Sequence, residues 1–533
     1  MRKAMGAAAA ALRWSMAVVC LLAGAGCASL PPNVERTSTS AFTQAETAGT
    51  ALGQALRQRI QAHPQLSGFH ALPIAQDAFA ARMLLARHAQ RSLDMQYYIW
   101  HADTTGQLLW QAAWQAAERG VRVRLLLDDA NTGGLDPTLA ALDAHPNIEV
   151  RLFNPFPSRR LRLVDFATDF TRLNHRMHNK SFTVDNQVAI VGGRNIGDEY
   201  FGANTDVGFQ DLDVMTIGPL VQDVSREFDL YWNSPYAYPA ARVIGRGPAD
   251  GKALLQQDWD QVHQSAEAQR YVQAVQRSGL VESLDRNALA LEWTTGRVLY
   301  DDPAKVRATA DRTDLQLLPK LIQAMGQPEK ELDLVSPYFV PGKKGSDDIE
   351  ALARSRIKVR VLTNSLSATD VAAVHAGYIK YRKELLEAGV TLYELKPGSA
   401  LPPAKDGDDD RTRGLGGSGS SGSSTASLHA KTIAVDRSRI FVGSFNLDPR
   451  SAHLNTEMGI VIDSPVLAGG LSSQLDDRLP NEAYEVKLTS DGKLEWIEHD
   501  ARGITRYSSE PGSPARRRLW VDFLSLLPIE WML

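Results

Sequence analysis

The feature that most constrains this chain is an eight-residue pattern that occurs twice. Both copies share a His-x-Lys-x4-Asp spacing, at His178, Lys180 and Asp185 in HNKSFTVD and at His429, Lys431 and Asp436 in HAKTIAVD. The chain has only 12 histidines in 533 residues. A single chance match would therefore have a probability on the order of a few per cent. Two matches indicate a duplicated structural unit with a shared chemistry.

The surroundings of the two copies repeat as well. Each copy is followed by a glycine-rich turn that ends in asparagine, GGRN at 192–195 and GSFN at 443–446. The strand-like stretches SLDMQYYIW and VRVRLLLDD precede the first copy, and ELDLVSPYFV and IKVRVLTNS precede the second in the same order. Leu93 aligns with Leu332 and Val123 with Val359. Strands that alternate with helices predict two α/β domains with mixed or largely parallel sheets covered by helices.

The bulk composition is that of an ordinary globular protein, with 44% hydrophobic and 23% charged residues. The formal net charge is -4 and the sequence pI about 6.3. A nucleic-acid-binding domain normally carries a strong positive charge, so this balance disfavours a nuclease and predicts no nucleic-acid partner.

The first 27 residues have the pattern of a secretory signal peptide. Arg2 and Lys3 open the chain, and a short apolar run ends in LAGAGC at Cys27. That ending resembles a bacterial lipobox, so Cys27 is predicted to be lipidated; an uncleaved anchor and ordinary cleavage are the alternatives. Cleavage would also remove Cys20 and leave at most one cysteine. The mature chain would then contain neither a disulfide nor a cysteine metal site.

The changes in composition along the chain divide it into segments. The predicted divisions are a signal peptide (1–27), a tether with a first helix (28–65), an N-terminal domain (66–245), a helical connector (246–310), a C-terminal domain (311–490) with a flexible insert (400–427), and a C-terminal tail (491–533). The insert is rich in Asp, Gly and Ser and ends directly before the second histidine. A mobile lid over the site and a disordered insertion without a role are both open.

The tail combines a basic cluster with an apolar segment. Arg516, Arg517 and Arg518 precede LWVDFLSLLPIEWML, in which Trp520 and Trp531 lie near the two ends. Fifteen residues are too few to span a bilayer as a helix, but the pattern suits a membrane interface. Docking on the core of the protein is the alternative.

The paired motif favours phosphoryl chemistry over metal chemistry. Residues i and i+2 of a strand project from the same face, so each His and its Lys point together. The ammonium charge opposes a bound cation but suits a phosphate. One imidazole could attack phosphorus while the other protonates the leaving oxygen. The lysines and the amides of Asn195 and Asn446 would neutralise the non-bridging oxygens. This scheme requires no metal and no cofactor.

Such histidines need an acceptor that holds one ring nitrogen in a fixed tautomer. The candidates are Asp211 and Glu457, which both open a strand after the asparagine turn, and Asp213 competes for the first of these roles. Asp185 and Asp436 end their strands, which favours a role in fixing the turn or the lysine geometry.

The two motifs and their trailing turns resemble the phospholipase D superfamily. The stretches LDMQYYIW, VRLFNPF, RMHNKSFTVD, VGGRNIGDEYF, SLHAKT, FVGSFNLDPRS and LNTEMG extend the resemblance to bacterial cardiolipin synthases over most of residues 75–533. The resemblance implies duplicated α/β/α domains in a pseudo-twofold bilobal monomer with one shared active site. It also implies a transphosphatidylase that moves a phosphatidyl group from one histidine to a phosphatidylglycerol hydroxyl. The catalytic residues it implies are His178, Lys180, Asp185, His429, Lys431 and Asp436.

Several questions stay open at this level. The motifs do not separate a synthase from a phospholipase D that hydrolyses lipids to phosphatidic acid, because both reactions share the covalent intermediate. A non-catalytic lipid-binding protein is the alternative from another class, although both motif copies are intact. The expected partners are phospholipid substrates and a membrane surface. The expected location is the bacterial cell envelope, with the chain lipid-anchored through Cys27 and facing the periplasm.

Overall fold

The computed structural model describes residues 30–33, 36–204, 207–248, 251–286, 288–398, 425–500 and 503–533. The predicted signal peptide with Cys27 lies outside these residues, as does the predicted insert up to residue 424. The described residues form two large sheets, one of nine strands and one of ten, and a separate pair of strands.

The strands in chain order are β1 (Ser67–Leu72), β2 (Ser92–Tyr97), β3 (Arg122–Asp128), β4 (Ile148–Phe153), β5 (Ser181–Val184), β6 (Val188–Gly192), β7 (Val207–Gln210), β8 (Asp213–Ile217), β9 (Ala237–Pro239), β10 (Glu292–Thr294), β11 (Gly296–Tyr300), β12 (Glu331–Val335), β13 (Lys358–Asn364), β14 (Thr391–Leu395), β15 (Thr425–Leu428), β16 (Thr432–Val435), β17 (Arg439–Gly443), β18 (Met458–Ile462), β19 (Ala483–Leu488), β20 (Leu494–Asp500) and β21 (Gly503–Tyr507).

The α-helices in chain order are α1 (Gln44–Thr47), α2 (Ala51–Gln61), α3 (Ala75–His88), α4 (Thr104–Glu118), α5 (Asp136–Asp143), α6 (Arg162–Thr168), α7 (Phe170–Leu173), α8 (Asp198–Phe201), α9 (Leu220–Trp232), α10 (Ala240–Val243), α11 (Gly251–Gln264), α12 (Ala266–Gln276), α13 (Gly279–Asp285), α14 (Leu317–Met325), α15 (Gly342–Arg354), α16 (Ala372–Glu387), α17 (Pro465–Glu482) and α18 (Ala515–Ser525).

The two sheets repeat one strand order. The N-terminal sheet is ordered β10-β1-β8-β6-β5-β2-β3-β4-β9, and the C-terminal sheet β11-β18-β17-β16-β12-β13-β14-β19-β20-β21. In each sheet three strands run parallel, and the strand that carries the motif, β5 or β16, pairs antiparallel with the first of them. Leu93 faces Val123 in one sheet and Leu332 faces Val359 in the other. The predicted duplicated α/β fold is confirmed, down to equivalent pairs in register.

The lobes built on the two sheets share a core. Ala189 and Val191 on β6 belong to the same buried apolar cluster as Val442 on β17 and Ile460 on β18. The short parallel pair of β7 and β15 adds a second link, because one strand comes from each lobe. Apolar burial across this interface holds the two motif strands, β5 and β16, next to the opposite lobe.

The connector prediction for 246–310 needs correction. The helices α11, α12 and α13 do lie there and pack on α3, α4 and α5. However, β10 then adds to the edge of the N-terminal sheet beside β1, and β11 adds to the edge of the C-terminal sheet beside β18. Strands of three and five residues show too little alternation to be recognised from sequence.

The prediction of a tether with a first helix for 28–65 needs correction in part: the helix is present as α2, but the described residues before it pack on the N-terminal lobe. The Nη1 group of Arg124 donates to the carbonyl of Thr39 at 3.0 Å, and the Nδ2 group of Asn186 donates to the carbonyl of Phe42 at 2.6 Å. The segment thus satisfies buried polar groups that would otherwise lack partners.

The predicted tail, 491–533, begins as part of the sheet. The strands β20 and β21 extend the C-terminal sheet, and α18 then packs on α16 through the buried Val521. The carbonyl of Leu533 accepts a hydrogen bond from the backbone of Arg450 at 2.6 Å. Only one face of α18 packs on the protein, so the alternative of a tail docked on the core holds for that face and not for the exposed one.

Candidate active site

The two motif histidines lie at the lobe interface, each just before its strand. The backbone N–H of His178 donates to the carbonyl of Thr456 at 2.8 Å, and that of His429 donates to the carbonyl of Gln210 at 2.7 Å. Each acceptor belongs to the opposite lobe. The backbone therefore fixes each histidine against the partner half before its side chain makes any contact.

Each imidazole also bonds to an acid of the opposite lobe. The Nδ1 atom of His178 lies 2.8 Å from a carboxylate oxygen of Glu457, and Nδ1 of His429 lies 2.5 Å from one of Asp211. Sequence reasoning identified both acids but had no means of showing that they cross between lobes. The competing acid, Asp213, instead pairs with the buried Arg82 at 2.9 Å.

The two acids differ in charge state. Burial raises the pKa of Glu457 to about 7, against the opposing influence of Lys180 and of hydroxyl donors from Ser444 and Ser451. Burial also opposes the ionisation of Asp211, but the neighbouring His429 and lysine charges outweigh it and lower the pKa of Asp211. One half-site thus has an ionised acid at neutral pH and the other has an acid that is partly protonated.

A glycine and a serine at equivalent positions accompany this difference. A side chain at Gly193 would begin 2.2 Å from a carboxylate oxygen of Asp211, so the acid occupies the space that a β-carbon would need. The equivalent residue in GSFN is Ser444, whose hydroxyl donates to Glu457 at 2.5 Å. The sequence difference between GGRN and GSFN indicates that the two acids have different surroundings, and sequence reasoning missed it.

Both motif lysines are buried beside their histidines. Burial lowers the pKa of Lys180 to about 7 and that of Lys431 to about 8. The Nζ atom of Lys180 donates to the carbonyl of His178 at 2.6 Å, and Nζ of Lys431 lies 2.8 Å from Nδ1 of His429.

The half-sites are electrostatically connected. Burial, followed by the charges of Lys180, Lys431 and His429, lowers the pKa of His178 well below its usual value. The pKa of His429 is also lowered, by burial and then by Lys431, although the ionised Asp211 opposes the shift. Both imidazoles are therefore neutral at neutral pH before an anionic substrate arrives. The two buried lysines supply the positive charge that would bind that anion.

The two predicted phosphate-binding asparagines occupy different environments. The side-chain oxygen of Asn195 accepts from the backbone of Ile99 at 3.1 Å, and its amide donates to the hydroxyl of Tyr200 at 3.0 Å. Asn446 is also buried, but its side-chain oxygen has no hydrogen-bond partner among the described residues. Asn195 thus fixes the wall of the site through both of its side-chain groups, whereas Asn446 has a side-chain oxygen that is free, within the described part of the chain, to accept a hydrogen bond.

The motif aspartates lie at the far ends of their strands and not with the histidines. The carboxylate of Asp185 accepts from the backbone N–H groups of Gln90, Arg91 and Ser92. Asp436 accepts in the same way from the backbone of residues 329–331. Both residues have a φ of 51° and begin a tight turn. Their placement supports the role in fixing the turn, and the catalytic role that the resemblance implies for them stays a prediction.

Sequence reasoning missed aromatic side chains that line both histidines. The ring of Tyr98 lies edge-on to that of His178, with centroids 5.0 Å apart. The rings of Tyr200 and Phe209 lie 5.2 and 5.1 Å from that of His429. These rings exclude water from the imidazoles, which are only 7% and 8% exposed as residues.

One further polar network connects the halves. Asn179, between His178 and Lys180, donates to the carboxyl of Glu227 at 2.8 Å and accepts from the hydroxyl of Thr456 at 2.8 Å. Thr456 precedes the acid that holds His178. The corresponding motif residue in the second half is Ala430, which offers no side-chain hydrogen bond.

The potential for metal binding lies elsewhere. Within the described part of the chain, the group with ligand atoms close enough to hold a cation consists of His101, Asp103 and Glu199. It contains neither motif histidine, and the charges of Lys180 and Lys431 oppose a cation between those histidines.

Several known proteins are similar to this chain in sequence and in fold. Residues 84–232 and 321–479 match the family described as "Cardiolipin synthase, PLD-like domain". Cardiolipin synthase C of Escherichia coli strain K12 is 46% identical over 473 residues, which cover 88% of this chain and 97% of that protein. An uncharacterised protein of Helicobacter pylori strain 26695 is 32% identical over 434 residues, 80% of this chain and 82% of that one.

A solved structure supports the fold. The crystal structure of phosphatidylserine synthase from Haemophilus influenzae Rd KW20 aligns with 90% of this chain and 99% of its own, with a TM-score of 0.53 and 14% sequence identity. At that identity the likeness concerns the architecture, in which two lobes carry equivalent sheets.

Proposed function

The chain belongs to the cardiolipin synthase family of phospholipase D-like proteins, and from this premise we propose that it transfers a phosphatidyl group to a phosphatidylglycerol hydroxyl and so forms cardiolipin. It is a phosphatidyltransferase of the phospholipase D superfamily. The observation that carries the proposal is the crossed pairing of each imidazole with an acid of the other lobe.

In the first step, Nε2 of His178 attacks the phosphorus of the donor lipid and forms a P–N bond. The bond from phosphorus to the donor alcohol breaks, and His429, protonated as the anionic donor enters, gives that proton to the departing oxygen. Glu457 accepts the hydrogen bond from Nδ1 of His178 and stabilises the positive charge that develops on the ring. The lysines and Asn446 neutralise the non-bridging oxygens.

In the second step, the hydroxyl of the acceptor lipid enters the place of the departed alcohol. Neutral His429 removes the hydroxyl proton as the oxygen attacks phosphorus, and the P–N bond breaks to return the free imidazole of His178. Water could react in the same way and would yield phosphatidic acid. The buried histidines and their aromatic walls disfavour water and favour a lipid alcohol.

The assignment of roles follows from the two acids. A nucleophile must be neutral, and although burial lowers the pKa of both histidines, that of His178 lies well below the usual value and the ionised Asp211 opposes the shift only at His429. A general acid must hold a proton, and the ionised Asp211 beside His429 stabilises an imidazolium. We therefore assign attack to His178 and proton transfer to His429.

The experiment is the mass spectrometry of lipids after expression of the full chain in a host that lacks cardiolipin. We expect cardiolipin to appear, and to be absent with the His178→Ala variant expressed at the same level. Accumulation of phosphatidic acid would identify a hydrolase. If neither lipid appeared, a non-catalytic lipid-binding protein would be the better description.

We propose a membrane-associated, monomeric enzyme of the cell envelope. The basic and apolar N-terminal pattern that ends at Cys27 supports export and lipid anchoring on the periplasmic side. Within the residues that the structure describes, no helix is both long and apolar enough to cross a bilayer.

A further inference from the structure

Exposed apolar side chains concentrate in two segments that lie far apart in sequence. Nine of the large apolar side chains that are exposed in the described part of the chain come from residues 161–166 and 519–531. They are Leu161, Leu163, Val164, Phe166, Leu519, Trp520, Phe523, Leu526 and Trp531. We call these nine residues the apolar platform.

The helix α6 buries a charged residue and exposes its apolar ones, the reverse of a helix that faces water. Its buried member is Asp165, which accepts from the backbone N–H of Ser158 at 2.7 Å, while Leu163 is 87% exposed. A helix on a water-exposed surface normally buries its apolar face and exposes its polar one. This arrangement is costly in water and is suited to an apolar neighbour.

Buried ion pairs hold that helix in place. Arg159 pairs with Asp129 at 2.5 Å, and Arg162 lies 3.4 Å from the same buried carboxylate. The exposed apolar residues are thus presented by a fixed segment.

The tail presents its apolar residues in the same way. Val521 is the buried residue of α18, whereas Leu519 is 69% exposed and Leu526, just after the helix, is 82% exposed. Arg516 is exposed at the beginning of the helix. A basic residue next to exposed Trp and Leu side chains matches the headgroup boundary of a bilayer.

The two segments meet beside the active site. The rings of Phe170, just after α6, and Trp531 pack edge-on with centroids 6.3 Å apart. Arg450 joins them, since its side chain donates to the carbonyl of Asn174 at 3.0 Å and to that of Met532 at 2.9 Å. The charge of Arg450 also acts on Tyr98, whose ring lies 5.0 Å from that of His178.

We propose that the apolar platform inserts into the interfacial region of a lipid bilayer and sets the active-site opening against it. This inference rests on the proposed function, because the occupant follows from the substrate: a lipid phosphate must reach buried histidines while its acyl chains stay in an apolar medium. A platform beside the opening, built from both lobes and flanked by exposed Arg160 and Arg516, provides that medium and attracts anionic headgroups.

The first test measures depth in the bilayer. An environment-sensitive dye is attached at L163C or L526C in the full chain that carries Cys20→Ser and Cys27→Ser, and vesicles of phosphatidylglycerol and phosphatidylethanolamine are added. We expect a blue shift and quenching by lipid-bound spin labels at both positions. Matched dyes at V466C and I504C, which replace exposed apolar residues outside the platform, should not respond. No shift at 163 and 526, or an equal shift at the control positions, would overturn the proposal.

The second test separates docking from chemistry. The Leu163→Glu/Leu526→Glu variant should lose activity on vesicle lipid by about tenfold or more while activity on short-chain, monomerically dispersed lipid stays within about twofold. The control, Val466→Glu/Ile504→Glu, should keep both activities. An equal loss on both substrates, or a wild-type dimer that the platform substitutions dissociate, would overturn the proposal in favour of site damage or of a second copy of the chain. Dye depth in the inactive His178→Ala protein stays informative even if the proposed reaction is wrong.

Discussion

The two half-sites have one backbone frame and two electrostatic characters. In both, a histidine and a lysine follow the same spacing at a lobe interface, and an acid of the opposite lobe holds Nδ1. Around His178 the acid is Glu457, with its pKa raised to about 7 by burial, whereas around His429 it is Asp211, with a lowered pKa.

The difference shows that the repeated elements supply the geometry and that the residues which differ between the two half-sites supply the division of labour. A symmetric site would hold two equally basic imidazoles, and attack and proton transfer would compete for the same groups. Both imidazoles are neutral in the free enzyme, but the ionised Asp211 favours protonation of His429 once the anionic donor is bound, whereas the partly protonated Glu457 gives His178 less such support. The predictions below test that division, beginning with the largest expected effect.

The histidines themselves should give the largest effect. Replacement of either by alanine should reduce turnover of natural lipid by about 10⁴-fold or more, because each performs a step that the other cannot. With a phosphatidyl ester of p-nitrophenol, which leaves without a proton, His429→Ala should release a stoichiometric burst of nitrophenol and accumulate phosphohistidine. His178→Ala should release none. Stopped-flow absorbance and ³¹P NMR measure the two outcomes.

The control for this experiment is an unchanged melting temperature and circular dichroism spectrum in both variants. A burst from His178→Ala and none from His429→Ala would reverse the roles. Near-wild-type turnover in either variant would show that the two halves do not form one site.

The acids should give the next effect, and it should depend on pH. At neutral pH, Asp211→Asn should lower kcat by about 10³-fold, and Glu457→Gln by only about 10- to 100-fold, because Glu457 already carries part of a proton. The wild-type kcat/KM should fall below pH 7 as Glu457 is protonated, and above it as Lys180 and Lys431, with pKa values of about 7 and 8, lose their charges.

The variants distinguish the two halves through this profile. Glu457→Gln should remove the acidic limb and keep the alkaline one, which should move to lower pH because the Glu457 charge that raises the pKa of both lysines is lost. Asp211→Asn should keep both limbs at a lower rate. An acidic limb that survives in Glu457→Gln and disappears in Asp211→Asn would place the titrating acid in the other half-site.

The sequence predicted the repeat and the identity of these acids because both follow from local patterns. Asp211 and Glu457 each open a strand after an asparagine turn, and that position is visible in a one-dimensional pattern. Their exchange between lobes is not visible, because it depends on how two sheets pack through residues such as Val191 and Val442. The strands β10 and β11 were missed for a related reason, since short edge strands acquire their pairing from the sheet that receives them.

Replacement of the asparagines should have smaller effects, on catalysis at one position and on stability at the other. Asn446→Ala should reduce kcat/KM by about 10- to 100-fold, because the proposed donation of its amide N–H to the phosphate is lost, and it should change stability little, because its side-chain oxygen holds no hydrogen bond within the described residues. Asn195→Ala should instead destabilise the fold by about 1–3 kcal/mol, because the N–H of Ile99 and the hydroxyl of Tyr200 lose their partner. Steady-state kinetics and denaturant unfolding separate the two. The reverse pattern would show that Asn195 contacts substrate.

Local pattern could not have separated these two residues. Both stand last in a glycine-rich turn, and a phosphate role was the natural interpretation for each. The difference comes from the backbone N–H of Ile99, which bonds the side-chain oxygen of Asn195, whereas the side-chain oxygen of Asn446 has no such partner among the described residues. For the motif aspartates the resemblance implies a catalytic role, whereas their position at the end of the strand favours a role in fixing the turn, and the structure places them at the opposite end of the strand from the histidines.

Those aspartates should have the smallest effect on chemistry and equal effects in the two halves. Asp185→Asn and Asp436→Asn each weaken bonds to three backbone N–H groups, so each should lower the free energy of unfolding by about 1–3 kcal/mol while kcat of the folded protein stays within about tenfold. For Asp436, burial raises the pKa, but hydrogen bonds from three backbone N–H groups lower it by more. A carboxyl group whose pKa is lower in the folded state than in the unfolded state stabilises the fold at pH values above the unfolded-state pKa. That stabilisation is lost as the pH falls through the folded-state pKa. The difference between wild type and Asp436→Asn should therefore be full at pH 7 and shrink in acid, as unfolding curves across that range would measure. If Asp436→Asn instead abolished turnover in a protein of unchanged stability, the second half-site would use its aspartate in chemistry, and the equivalence of the two strand ends would be wrong.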